Sequence, residues 1–408
     1  MRSGEVGAAA PRRRGGFSRP AAIGFCLILI DCLAAPLGPM AQAGPVAADA
    51  PWEWRLPPGL PAPRVPPDNP MSAAKVDLGR RLFYDTRLSV NRSQACATCH
   101  RQENAFTDGR ARAVGSTGEI HRRSSMSLAN VAYAVSLTWA GREPRGLEAQ
   151  VLIPLLGAHP VELGMEGRES ELVARLETEP GYATFFQRAF PGEERPVGVA
   201  NVARAIACFE RTLVSGESPY DRLVFQGRME TLPESAWRGM RLFFSERLAC
   251  SRCHAGFNFS APVDYERLPE APEPLFHNTG LYNLDGNGAY PAADTGLRET
   301  TGRRRDMGRF KAPTLRNVAV TAPYMHDGSL ATLEQVIDHY ARGGSAGGES
   351  RVRSPLLRGF TLGEVERRDL IAFLESLTDE AFLTDQRFAD PWKETADHDI
   401  APRPAAQP

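Results

Sequence analysis

Helical periodicity, a repeated helix-plus-motif unit and a shortage of strand signals predict a mainly α-helical protein, built as two similar halves in tandem and joined by long loops. The periodicity is clearest over 199–213, where Val202, Ala205, Ile206 and Phe209 share one face, and over 361–377, where Leu362, Val365, Leu370, Phe373 and Leu374 point mostly inward. The repeat pairs Gly79-Arg80-Arg81-Leu82-Phe83, ahead of Cys96, with Gly239-Met240-Arg241-Leu242-Phe243, ahead of Cys250, at nearly equal offsets. Its boundary falls near 226–233.

In chain order, Arg12, Arg13, Arg14 and Arg19 precede an apolar run over 21–37, and Ala41-Gln42-Ala43 offers small residues for cleavage, so 1–43 reads as a secretory signal. The run is shorter than the roughly 20 residues that span a bilayer, and no later segment is longer and uncharged, so no stable membrane span is expected after cleavage. Asp31 before Cys32 argues against lipid attachment. An exported protein, periplasmic in a bacterium, is the reading. Residues 44–70 carry Pro57-Pro58, Pro61, Pro63 and Pro66-Pro67 and predict an extended arm. The halves are then 71–228 and 229–392, followed by a polar tail, 393–408, expected to be poorly ordered.

With 48 basic against 49 acidic residues, no global field favours nucleic acid or an anionic membrane. The 408-residue chain is long enough for one or two substantial cores.

Removal of Cys26 and Cys32 with the signal leaves Cys96, Cys99, Cys208, Cys250 and Cys253. Cys208 lies inside the 199–213 helix and is most simply a buried apolar thiol. In an oxidising compartment the ordinary reading of the rest is disulfides, yet each close pair is followed at once by a histidine, His100 or His254. Covalent haem attachment needs two thiols one helical turn apart to reach the vinyl groups, and an adjacent imidazole to bind iron from the same side. Both motifs satisfy this. A four-cysteine zinc site or two strained disulfides would leave the paired histidines unexplained. The fold class is therefore refined to two cytochrome c-like helical domains, each with one covalently bound haem. Glycine- and proline-rich stretches, notably 261–309, are loops suited to wrapping a macrocycle, and Asp285-Gly286-Asn287-Gly288 reads as a turn, since it lacks the closing acid of a calcium loop.

From about Met71 to Thr378 the chain resembles the bacterial dihaem cytochrome c peroxidases and the related MauG-type enzymes. The resemblance rests on Ala105-Phe106-Thr107-Asp108-Gly109 after the first haem motif, on Trp139-Ala140-Gly141-Arg142 with Leu147-Glu148-Ala149-Gln150, and on Pro160-Val161-Glu162-Leu163-Gly164. In the second half it rests on Phe310-Lys311-Ala312-Pro313-Thr314-Leu315-Arg316-Asn317 and Thr321-Ala322-Pro323-Tyr324-Met325-His326-Asp327-Gly328. The stretch Phe276-His277-Asn278-Thr279-Gly280-Leu281-Tyr282-Asn283 is most similar to the MbnH branch.

The resemblance implies site residues. Peroxide binds the first haem opposite His100, with Glu162 as the distal acid-base group and Gln150 and Pro154 as its neighbours; two extra residues separate Pro154 from the acid. A carboxylate there takes a proton from peroxide and returns it to the departing oxygen. Trp139 matches the tryptophan between the haems. Tyr340 stands where MauG-type enzymes carry the tyrosine ligand of the second iron, and scavenging peroxidases a methionine; Met307 and Met325 are the rival ligands. A helix capped by Thr332 and Gln335 would put Leu333, Val336, Ile337 and Tyr340 on one face. His121 falls in the region of the loop histidine that blocks the first haem in many peroxidases, but reads more simply as a surface loop residue. A calcium ion between the haems is also implied, on the carbonyls of Thr321 and Pro323, with Ser124 where the family has asparagine.

The implied activity is that of a periplasmic dihaem oxidase. It uses hydrogen peroxide to form a high-valent dihaem state that oxidises an aromatic residue, tryptophan to kynurenine, of a partner protein. Two rival functions are a cytochrome c peroxidase fed by a small cytochrome, and a dihaem electron-transfer cytochrome.

Overall fold

In each half, a helix carrying the repeated glycine crosses a longer amphipathic helix. α1 (Ala73–Phe83) lies on α6 (Val199–Arg211), and α8 (Glu234–Phe243) lies on α11 (Glu364–Glu375). The computed structural model describes residues 51–344, 350 and 352–393. The signal 1–43, the first residues of the arm and the tail beyond 393 fall outside the described residues.

The remaining helices are α2 (Cys96–Cys99), α3 (Leu147–Leu156), α4 (Glu169–Glu177), α5 (Tyr182–Ala189), α7 (Pro219–Gln226), α9 (Arg298–Thr301), α10 (Leu333–Ala341) and α12 (Glu380–Thr384). Among the described residues the sheet is limited to β1 (Phe276–His277) paired antiparallel with β2 (Phe310–Lys311), so the mainly helical class is borne out.

Two apolar clusters organise the chain. The first gathers Leu78, Leu82 and Phe83 of α1, Phe186 of α5, and Val202, Ile206 and Phe209 of α6. Phe83 and Phe209 meet edge to face at 5.2 Å, a geometry that aromatic quadrupoles favour. The second gathers Phe243, Phe259, Leu333, Ile337, Leu370 and Phe373. The last described segment returns to the first cluster through Phe382 and Phe388, and Tyr84 donates its hydroxyl hydrogen to the Phe388 carbonyl. Cys208 is fully buried on α6 as expected, but its surroundings are polar, the thiol donating to Asn69 Oδ1 at 3.7 Å with Lys75, Glu148 and Arg211 close by.

The proline-rich arm contains no helix over 51–72 and is held as a strap. Arg64 forks onto the Asp264 carboxylate at 2.9 Å and donates to the Leu268 carbonyl, and Tyr133 donates to the Pro61 carbonyl. The 261–309 stretch is largely irregular, interrupted by β1 and α9. Asp285 accepts from the amides of Asn287 and Ala289, closing its own turn as predicted. Among the described residues no helix is long and apolar enough to cross a membrane.

Candidate haem sites

Both haem motifs sit on single helical turns, α2 for Cys96–Cys99 and a 3₁₀ turn over Cys250–Arg252. None of Cys96, Cys99, Cys250 and Cys253 is in a disulfide, and among the described residues no three His, Cys, Asp or Glu side chains form a metal cluster. Burial pushes the Cys99 thiol up to about 11 and the Cys250 thiol up to about 12, and raises those of Cys96 and Cys253. These are protonated thiols, unlike the depressed groups of redox-active cysteines.

The two histidines are held alike. His100 donates Nδ1–H to the Phe106 carbonyl at 2.8 Å, and His254 donates Nδ1–H toward the carbonyls of Phe259 and Pro313 at 3.0 and 3.1 Å. A carbonyl can only accept, so the proton is fixed on Nδ1 and the Nε2 lone pair is left for iron. Phe106 and Phe259 both take left-handed backbone conformations, φ 63° and 46°, which turn these carbonyls toward the rings. Burial lowers both imidazoles, His254 to about 4, keeping them neutral as ligands must be. Around His254 the frame is stiff. Arg316, fully buried, pairs with Asp221 through both nitrogens at 2.7 and 2.9 Å and donates to the Phe257 carbonyl.

A cavity of about 480 Å³ opens beside the second motif. Cys250, Cys253, His254 and Tyr340 line it, as do Trp139, Ser124, Thr321, Pro323 and Met325. Its size suits a large cofactor, its thiols and imidazole suit a c-type haem, and Lys311, Arg247, Arg252 and Arg358 on its wall suit the haem carboxylates. Lys311 is half-buried, its ammonium is pushed down to about 8 by desolvation, and it donates to the Ser136 carbonyl at 2.7 Å.

Tyr340 reaches this cavity because Leu333, Val336, Ile337 and Tyr340 lie along one face of α10, all four lining the space. Thr332 caps the helix by accepting from the Gln335 amide, while the Gln335 side chain reaches Ala331 instead of closing a reciprocal box. Burial, then the nearby Cys253 and Cys250, push the Tyr340 phenol up. Of the rival ligands, Met325 lines the cavity, whereas Met307 is buried in a third cluster with Tyr290 and Phe310.

At the first motif, the Leu163 amide donates to the Pro154 carbonyl at 2.9 Å, bringing Pro154 of α3 against the Glu162 segment, and the chain between them makes a turn closed by Ala158 pairing with Val161. Burial pushes the Glu162 carboxyl up to about 7, although 39% of its side chain stays accessible. The two facts agree for a group facing a hollow walled by protein. Its negative charge adds to the burial that raises the thiols of Cys96 and Cys99, which places the carboxyl in the neighbourhood of the first motif. Gln150 Oε1 is buried without a protein partner, a free acceptor that fits the haem pocket expected there.

His121 differs from the surface position expected for it. Only 13% of its side chain is exposed, its Nδ1 lies 4.0 Å from Glu162 Oε1, and its Nε2 is buried without a partner. Val114 pairs with Ile120, folding this loop back, and Ser116 donates to the Glu162 carbonyl. The Gly115-Ser116-Thr117-Gly118 turn was the signal that could have found this. Trp139 is fixed at both ends, its indole donating to the Ser124 carbonyl at 2.9 Å and its carbonyl accepting from Lys311. Ser124 spends its hydroxyl on the carbonyls of Met325 and His326.

A tandem helical fold with two such motifs fits a dihaem cytochrome. Residues 73–230 match the family described as di-haem cytochrome c peroxidase. The chain is 37% identical to the methylamine utilization protein MauG of Methylorubrum extorquens, over 80% of this chain and 84% of that protein. It is equally 37% identical to the cytochrome-c peroxidase IdrP1 of a Pseudomonas species, over 78% and 84%. Among solved structures, a MauG-like protein associated with microbial copper homeostasis superposes with a TM-score of 0.81 at 46% identity, covering 84% of this chain and 99% of that one. The chain belongs to the dihaem cytochrome c peroxidase and MauG family, haem enzymes that act on peroxide.

Proposed function

We propose that the chain is an exported dihaem oxidase that uses hydrogen peroxide to oxidise an aromatic side chain of a partner protein, converting tryptophan to kynurenine. Residues 71–228 hold the peroxide-reactive haem on Cys96, Cys99 and His100. Residues 229–392 would hold the second on Cys250, Cys253 and His254, with Tyr340 available from the same cavity as a further ligand. The observation that carries this reading is Tyr340 itself, whose helix face lines the same cavity as Cys250, Cys253 and His254. A phenolate ligand favours oxidised iron, making that haem a reservoir of oxidising equivalents and a poor entry port for electrons from a cytochrome.

Haem supplies the iron that accepts peroxide and holds the equivalents it delivers. Glu162 takes the first proton from peroxide and returns it to the departing oxygen, Gln150 and Pro154 shape the pocket, and Trp139 carries charge between the two centres. Calcium, if bound, would be held by the carbonyls of Thr321 and Pro323 on the wall of the second cavity. The 46% identical protein's association with copper homeostasis makes a copper-handling protein the first partner to test.

The scavenging peroxidase is the second reading, favoured by Met325 on the cavity wall and by His121 beside Glu162. Peptide mass spectrometry of the partner, with and without peroxide, decides between them. A mass change on one aromatic residue supports the oxidase. An unmodified partner, with rapid turnover of reduced cytochrome c, replaces it with the peroxidase.

A further inference from the structure

Resting on that reading, we propose that Tyr282 is where oxidising equivalents leave the protein: its phenol passes an electron inward and a proton to Asp327, and is then re-reduced by the partner. The Tyr282 hydroxyl donates to Asp327 Oδ2 at 2.5 Å. Burial opposes a charge on Asp327, but hydrogen bonds from Tyr282 and Ser329 outweigh it and hold the carboxyl below its usual range, so a base stands ready at the phenol. Oxidation of a phenol is far easier when its proton has a place to go in the same step.

Two routes connect Tyr282 to the wall of the second cavity. One is a ladder of rings: Tyr282 to Tyr290 at 5.4 Å, Tyr290 to His326 at 6.3 Å, and His326 stacked on Phe310 at 3.7 Å, with His326 and Phe310 both on the cavity wall. Trp139 packs in the same apolar cluster as Tyr290 and Tyr282. The other is made of hydrogen bonds. Trp139 donates to the Ser124 carbonyl, Ser124 N–H donates to the His326 carbonyl at 2.8 Å, and Asp327 is the next residue in the chain.

Other phenols fit less well. Tyr290 donates to the Asn278 amide oxygen, which is too weak a base to take its proton. Tyr182 does donate to a carboxylate, Asp85, but only 1% of it is exposed, out of a partner's reach. Tyr282 is half-buried, with a base on one side and solvent on the other.

The step balances. Tyr282 gives one electron to the oxidised centre and its proton to Asp327, leaving a neutral tyrosyl radical and a carboxylic acid; an aromatic donor on the partner returns the electron, and Asp327 returns the proton. Two passes deliver the two electrons that one peroxide accepts.

The test uses full-length holoprotein, its Tyr282→Phe and Asp327→Asn variants, and Tyr265→Phe as an off-path control, with N-acetyltryptophanamide as the donor. After peroxide, the wild type should give a tyrosyl radical in electron spin resonance whose splitting changes when the protein is grown on ring-deuterated tyrosine, and the signal should vanish in Tyr282→Phe. Donor-driven loss of the stored equivalents should slow by about 10²-fold in both variants, the lower end of what a positioned proton acceptor contributes, and not in the control. Unchanged decay in Tyr282→Phe, or a radical that persists there, overturns the exit. A wild type that stores no oxidising equivalents overturns the oxidase reading and the exit together, which separates the two failures.

Discussion

Gly79 and Gly239 make the same contact in the two halves. A Cβ at Gly79 would lie 1.9 Å from the Ala205 carbonyl oxygen and 3.0 Å from Phe209 Cβ; one at Gly239 would lie 1.8 Å from the Asp369 carbonyl oxygen and 2.9 Å from Phe373 Cβ. The repeated glycine is therefore the point where α1 meets α6, and α8 meets α11. Helix propensity alone would favour alanine at either position by about 1 kcal/mol, but a backbone oxygen cannot rotate out of the way. Gly79→Ala and Gly239→Ala are each expected to destabilise the protein by about 1–3 kcal/mol net, measured as a lower denaturation midpoint. An unchanged midpoint would mean the crossings relax freely.

That contact also marks what the sequence made legible. The glycines, the apolar stripes of α6 and α11 and the spacing of cysteines and histidines are local signals, and each led to the element or motif found. Val365, expected inward on α11, is nevertheless exposed, because Leu370, Phe373 and Leu374 form the face that meets the core. Thr332 and the α10 stripe likewise brought Tyr340 to its cavity. The burial of His121 is not legible in sequence periodicity, because it depends on the 113–121 loop folding back on 160–163, a contact between segments that share no period. Tyr282 and Asp327 stand in sequence motifs that carry no sign of their pairing. Their bond joins two irregular loops, for which neither helical nor strand spacing gives a direction.

Glu162 should impose a pH dependence on the peroxide reaction. Its carboxyl is pushed up to about 7 by burial, while burial lowers the His121 imidazole beside it, so the pair is mostly uncharged just below neutrality. A group that must accept a proton works only when deprotonated. The rate should therefore fall as pH drops through about 7 and level off above it. Glu162→Gln should keep both haems, lose this inflection and react about 10²- to 10⁴-fold more slowly, as followed by stopped-flow absorbance.

Covalent attachment is tested by denaturation. Protein made with a cytochrome c maturation system should keep both haems in acidified organic solvent, as two thioethers to each would require. Cys99→Ser and Cys253→Ser should each disturb one haem and leave the other, since the thiols sit on separate turns, α2 and the turn over Cys250–Arg252. Extraction of all haem from the wild type would remove the basis for assigning either motif.

Tyr340 offers the sharpest separation between oxidase and scavenger. Without metal its phenol is held protonated by burial and by the neighbouring Cys253 and Cys250, so a phenolate there requires the charge of an iron centre. Tyr340→Phe keeps the ring that packs with Val336 and Ile337 while deleting the oxygen. Both haems should stay attached, the visible and spin-resonance spectra of the second should change, and the oxidised state left by peroxide should decay within the dead time of mixing instead of persisting. Tyr340→Met should raise the reduction potential of that haem, because a thioether favours the reduced metal where a phenolate favours the oxidised one. A wild-type spectrum in Tyr340→Phe would return the tyrosine to packing and leave Met325, the methionine on the cavity wall, as the ligand.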